Sequence, residues 1–439
     1  MAESIHLDRE LLRAALQGEL PLNLLRRIGL DHLLELCPHC RREVMALHAE
    51  VAGGVYNMTV TLKEVLKQQI PRLKQQHRAA EREMAELLAL PPEKRIPKIM
   101  RSRRRFRSEH LIRLLLEASE SRFTTDPAQA RHLAELARAI IHYSPVAAGI
   151  YYELMALAAG FFANACRACG DLREADEQYK QVHYLVGQYA VSDPETLARL
   201  ADLEASLRKD QRRFVQAERL LVRALTLYRL TSGREIPRVL LNVGDLFYVA
   251  GLPDKAIEAT QAALALIPAD PPSRLYLIGR YNLTLQLAEA GRPKEAAELL
   301  TADEGLYREH SEPWVQLRLL WVRAKIAALE EPDRALGLLA RSREGFIAQG
   351  IGYDAAMVSL DMALIYLRQG RMAEIKELAE AMVAIFEAHD VHREAVAALI
   401  LFQEAARALA VTASLLKSLR DYFRMARNDP SYPFRPKKD

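Results

Sequence analysis

The chain has 439 residues, half of them hydrophobic, with 61 Lys+Arg against 57 Asp+Glu; a size prior of about 150 residues per domain predicts roughly three globular units, and a formal charge of +4 is too small to coat such a surface with polyanion. Aromatics make up only 7%, with 19 Gly and 20 Pro, so a chain dominated by Ala, Leu, Glu and Arg favours helices and argues against sandwiches and barrels. No apolar run approaches the about 20 residues of a membrane-spanning helix, and acids stand where a signal peptide carries basic and apolar stretches, so a cytoplasmic protein is expected.

Residues 1–48 form the first predicted unit. His6 lies in an amphipathic helix, Gly18-Glu19-Leu20-Pro21 turns it, and Leu24–Leu36 makes a second helix running into Cys37-Pro38-His39-Cys40-Arg41. Zinc takes four tetrahedral nitrogen and sulfur donors, and a Cys-x-x-Cys turn clamps one ion from a single loop. His32 and His6 complete a donor set of His6, His32, Cys37 and Cys40. Such a closed site leaves no position for substrate, so the zinc is structural. The competing reading is that Cys37 and Cys40 are only small buried residues.

This segment resembles the zinc-binding anti-sigma fold. That family's N-terminal His or Cys, Gly-Glu-Leu-like turn, His-Leu pair and Cys-x-x-Cys-Arg correspond to His6, Gly18-Glu19-Leu20, His32-Leu33 and Cys37 to Arg41. The family leaves three residues between His and the first Cys, and this chain leaves four. His39 or a water is therefore the alternative fourth donor. The resemblance covers roughly a tenth of the chain and implies a sigma factor as partner, hence a bacterial regulator of transcription.

Residues 49–124 read as a helical connector. A long helix over 42–90 carries Val51, Val55, Met58, Leu62, Val65 and Leu66 on one side, with weak points at Gly53-Gly54 and Pro71. The anti-sigma resemblance would have this stripe embrace a sigma factor; packing on neighbouring helices is the plainer reading. There follows a run of eight basic residues without an acid: Lys94, Arg95, Lys98, Arg101, Arg103, Arg104, Arg105 and Arg107. It could track nucleic-acid phosphates, each adding about 0.9 to the salt slope of binding, dock an acidic protein, or simply solvate the connector.

From about residue 125 to 410 the sequence repeats. A helix ends in a short polar turn and a small or apolar residue opens the next helix, at Ala175, Ala217, Ala256, Ala296, Ala335 and Ile375, which are 42, 39, 40, 39 and 40 residues apart. Apolar residues at helical spacing flank each mark, as in Val239, Leu240, Val243, Leu246 and Phe247 before Ala256. Each unit is therefore a helical hairpin. One hairpin cannot bury both of its apolar faces, whereas a stack makes a continuous core and bends into a superhelix.

The pattern resembles tetratricopeptide repeats, which implies a right-handed superhelical solenoid with a concave groove. Gly244, twelve residues before Ala256, falls where that family places a small first-helix residue. Thr284, Ala363 and Arg323 hold the same count elsewhere, and forty residues exceed the usual thirty-four, so the array is a degenerate version with lengthened helices. The family's groove-lining position, fourteen residues before each mark, falls on Asn242, Asn282 and Asp361, with Phe161, Leu203 and Trp321 in the other units. An amide there can bond an extended peptide backbone in both directions; bonding to neighbouring helices is the competing use.

The remaining cysteines, Cys166 and Cys169, sit on a repeat helix beside Phe161 and Phe162. Tight packing is the expected use, with a four-sulfur site shared with Cys37 and Cys40 as the rival. No phosphate-cradling glycine loop, nucleophile elbow or separated carboxylate pair is present, so no enzyme is expected. The expected protein is all-α, a solenoid over 125–425 with a zinc unit at 1–48 and a tail at 426–439. It is read as a protein-binding adaptor or regulator. The alternatives are a scaffold capped by the zinc unit, and a nucleic-acid-associated sensor using the basic run.

Overall fold

The computed structural model describes residues 74–102, 105–123, 126–270, 272–310, 312–349, 351–388 and, with gaps, 399–434. The predicted zinc ligands His6, His32, Cys37 and Cys40, and the stripe from Val51 to Leu66, lie outside these residues. Within them there is no strand, and no helix is long and apolar enough to cross a membrane.

The chain divides into two compact units, residues 1–242 and 243–439. Among the described residues, unit 1 holds first α1 (74–88), α2 (Pro92–Arg101) and α3 (Glu109–Glu120). It continues with α4 (Pro127–Ile141), α5 (Ala148–Ala168), α6 (Leu172–Gln188), α7 (Pro194–Asp210) and α8 (Phe214–Arg229). Helix α9 (Ile236–Val249) crosses the division. Unit 2 holds α10 (Pro253–Ala265), α11 (Arg274–Glu289), α12 (Pro293–Ala302) and the short α13 (Glu304–Glu309). It ends with α14 (Pro313–Ala327), α15 (Pro332–Ala348), α16 (Gly352–Arg368), α17 (Met372–Ala388) and α18 (Ala413–Ala426).

Consecutive helices pair antiparallel as α3/α4, α5/α6, α7/α8, α11/α12, α14/α15 and α16/α17. Sequence chemistry starts them. Proline opens α2, α4, α7, α10, α12, α14 and α15, where a missing N–H costs nothing. Asp126, Asp171 and Asp193 cap α4, α6 and α7 by accepting from the N–H of Gln129, Glu174 and Thr196 at 2.9, 3.1 and 2.8 Å, each cap contributing about 1 kcal/mol.

The marks read from the sequence are the points where hairpins close. Ala175, Ala217, Ala256, Ala296, Ala335 and Ile375 are each the fourth residue of the second helix, and each is 0% exposed. The turns before them repeat as well. The N–H of Asp171 donates to the Cys166 carbonyl, a span of five residues that recurs at Arg213, Leu252, Arg292 and Arg371. A left-handed residue precedes each: Gly170, Gly251, Gly291 and Gly370, with φ between 70° and 85°, and Arg212 at 57°. This is the helix-ending pattern glycine favours. Arg212 holds it at a cost of about 1–2 kcal/mol.

One turn departs. Between α14 and α15 the N–H of Glu331 reaches back four residues, to the Ala327 carbonyl at 2.8 Å, and no residue there is left-handed. This turn is one residue short. The small buried residue is consequently Ala324, 0% exposed, rather than Arg323, which is exposed. The fixed count of twelve therefore fell one residue early, on Arg323.

Helices α1 to α3 do not stand apart from the repeats of unit 1. Leu87, Ile99, Phe106, Leu111 and Leu115 share one apolar core with Leu133, Ala137, Leu154 and Phe161. In unit 2 the main core joins α14 to α17 with α18, through Leu339, Phe346, Val358, Met382, Leu419 and Phe423.

Candidate functional site

In unit 1 the first helices α3, α5 and α7 lie side by side, so side chains about one repeat apart meet. Arg113 Nη2 lies 3.4 Å from Glu153 Oε1, and Thr196 Oγ1 donates to that same oxygen at 3.0 Å. Arg238 donates to Asp202 Oδ2, and Asn242 Nδ2 donates to Asp202 Oδ1 at 2.8 Å. The sequence separations are 40, 43, 36 and 40 residues. The period of the sequence is thus also the period of a polar ladder.

Beside this ladder lies an open cleft of about 220 Å³ between Leu116, Glu117 and Glu120 of α3, Leu157 and Phe161 of α5, and Glu195 and Arg199 of α7, with Tyr228 and Glu235 also in its wall. Drug-sized ligands fill about 300–1,000 Å³. This cleft accommodates one side chain. Arg199 pairs with Glu120 and lies 3.5 Å from Asp202, with its guanidinium 5.3 Å from the Phe161 ring centre. Four carboxylates, Glu117, Glu120, Glu195 and Glu235, line the cleft against the two guanidiniums of Arg113 and Arg199. Of these, Glu120 is paired with Arg199 and Glu235 with Arg238.

Beneath the cleft, Asp202 is buried. Burial opposes its ionisation, but the guanidiniums of Arg238 and Arg199 outweigh burial and hold the carboxyl below its ordinary value. Burial pushes the Tyr228 phenol up, which keeps it neutral.

Of the predicted groove residues, Asn242 is engaged with Asp202. Asp361 is 8% exposed and accepts from Trp321 Nε1 and pairs with Lys325 Nζ, both at 2.6 Å. Asn282 is half-buried on α11. Phe161 lines the cleft. The two engaged residues therefore link successive hairpins, and of the cleft's lining only Phe161 stands at the fourteen-residue position read from the repeat.

The basic run divides. Arg95 is buried, donating to the Leu88 and Leu90 carbonyls at 3.1 and 2.9 Å. Lys98 lies 3.4 Å from Glu86, and Arg105 pairs with that same carboxylate. Arg107 donates to the Ser102 carbonyl at 2.6 Å. Lys94 and Arg101 are exposed, and Arg103 and Arg104 lie outside the described residues. Cys166 is buried and Cys169 exposed; burial pushes the Cys166 thiol up to about 12, the state of a packing residue rather than a nucleophile. No cluster of three or more His, Cys, Asp or Glu among the described residues is arranged to hold a metal ion.

No family model matches the chain, and no curated protein matches it. Among solved structures it is similar to a crystal structure of a Rap protein complexed with Competence and Sporulation Factor. The identity is 10%, the TM-score 0.56, and the match covers 72% of this chain and 87% of that one. The likeness is one of fold: an all-α array of helical hairpins.

Proposed function

We propose that this chain is a protein-binding adaptor or regulator, whose first-helix face in unit 1 captures a partner segment that places a Lys or Arg side chain in the cleft beside Arg199 and Phe161. The observation that carries this reading is the acid-rich cleft of about 220 Å³, set on helices held in register by a polar ladder. Its size suits one side chain, and four of its lining side chains are carboxylates, so a guest Lys or Arg would exchange into an existing carboxylate–guanidinium network. The similar Rap protein is complexed with a factor, which supports reading such an array as a receptor.

A photo-crosslinking amino acid at Glu117, on the cleft rim, tests the proposal in the native cell. Adducts should form with a partner peptide containing Lys or Arg at the contact and be lost when Glu120 and Glu195 are replaced by Gln. The same probe at the exposed Tyr184 of α6 should give none. Equal labelling from both sites, or labelling of nucleic acid alone, would sink the idea.

The zinc unit and a sigma-factor partner rest on residues 1–48. Two imidazoles and two thiolates are a donor set that fits one tetrahedral zinc, with His6, His32, Cys37 and Cys40 holding it and the metal supplying only structure. One zinc per chain is expected by metal analysis, disappearing in Cys37→Ser/Cys40→Ser.

A further inference from the structure

The last described helix of unit 2 is α18, whose apolar row of Leu416, Leu419 and Phe423 packs into the core of α14 to α17. Its Arg420 and Arg424, one turn apart on a neighbouring row, do something else. Arg420 pairs with Glu289 of α11 and reaches Asp361 of α16 at 3.5 Å. Arg424 donates to the Tyr248 hydroxyl of α9 at 3.1 Å, stacks 5.0 Å from that ring's centre, and lies 3.8 Å from Glu289. Lys325 of α14 joins the two carboxylates, at 2.9 Å from Glu289 and 2.6 Å from Asp361. One helix thus meets, directly or through Lys325, the first helices of four successive hairpins, across separations of up to 176 residues.

Without α18 those first helices set two carboxylates, Asp361 and Glu289, against one ammonium, Lys325. Two carboxylates sharing one ammonium leave a negative surplus, and the two arginines balance it, as a helix laid into a groove supplies its anchors at i and i+4. We propose that the first-helix face of unit 2 is a recognition surface for a basic amphipathic helix of Arg-x-x-x-Arg pattern, that α18 is its resident occupant, and that a partner helix of the same chemistry competes for it. The inference concerns unit 2 and stands or falls separately from the cleft of unit 1.

The test uses the full chain and a fluorescein-labelled peptide of residues 411–428. In the wild type the tethered helix holds the site at high effective concentration, so the peptide should bind poorly. In Arg420→Glu/Arg424→Glu, whose own α18 is repelled, binding should tighten at least tenfold. A peptide carrying the same two reversals should not bind. Adding Glu289→Arg to the receptor should abolish binding of the normal peptide.

A folded double variant that ignores the normal peptide, or binds both peptides equally, overturns the proposal. If the reversal variant does not fold, Arg420→Gln/Arg424→Gln carries the same comparison. Failure of both to fold also overturns it, since α18 would then be an inseparable part of the core.

Discussion

Replacing Asp361 with alanine is expected to lower the stability of unit 2 by about 3–5 kcal/mol, the cost of removing one member of a buried ion pair and stranding the other. The side chain is 9% exposed and pairs with Lys325 at 2.6 Å and Arg420 at 3.5 Å, while Trp321 Nε1 donates to it at 2.6 Å. Alanine leaves an ammonium, a guanidinium and an indole N–H to find new partners in a site closed to most water. The chain's two tryptophans, Trp314 and Trp321, both lie on α14, so tryptophan fluorescence follows unit 2 alone. The fall should appear as a lower urea midpoint in that signal. An unchanged midpoint would mean that the cluster contributes nothing net.

Acid provides a second reading of the same cluster. Burial opposes ionisation of Asp361 and of Glu289, but Lys325 and then Arg420 outweigh it, and both carboxyls are held below their ordinary values. A depressed carboxyl contributes stability that is complete above its unfolded pKa of about 4 and is lost as pH falls through the folded value. The wild-type midpoint should therefore stay level on this account from about pH 7 to 5 and decline below about pH 4. Asp361→Asn takes up no proton at this position, so its decline should be shallower.

The repeat was legible because its signal is local. A small residue where two helices cross, and a polar turn five residues before it, are fixed by backbone approach within one hairpin. Ala175, Ala217 and Ala256 could thus be read off the chain. The fixed count failed at Glu331, where a turn one residue short moved Ala324 into the place expected for Arg323. No propensity announces such a deletion. The fates of Asn242 and Asp361 were illegible for a different reason. Their partners lie on the neighbouring hairpin at 36–40 residues, or on α18, and polar residues at a groove position look alike whether they await a guest or bind a neighbour. The basic run divided for the same reason: the Leu88 and Leu90 carbonyls that take Arg95 are backbone groups exposed by a turn, and they leave no trace in side-chain pattern.

Two glycines on unit 2 helices should respond to alanine with opposite signs. In a helix interior Ala is favoured over Gly by about 1 kcal/mol. At Gly337, on exposed α15 surface, an added Cβ meets nothing within 4 Å, so Gly337→Ala should raise stability by about 0.5–1 kcal/mol. At Gly244 the added Cβ would overlap Thr260 Oγ1 and stand 3.2 Å from the Ala256 carbonyl oxygen. Overpacking costs about 1–3 kcal/mol, enough to reverse the propensity gain, and Gly244→Ala should destabilise by about 1–2 kcal/mol. Thr260 Oγ1 is buried without a hydrogen-bond partner, so Thr260→Ala removes the obstruction without breaking a bond. The double variant should sit within about 0.5 kcal/mol of Thr260→Ala alone, a coupling between contacting residues of about 0.5–2.5 kcal/mol. If Gly244→Ala instead matched Gly337→Ala in sign and size, the two helices of this hairpin would not be crossing at the distance that makes a small residue necessary.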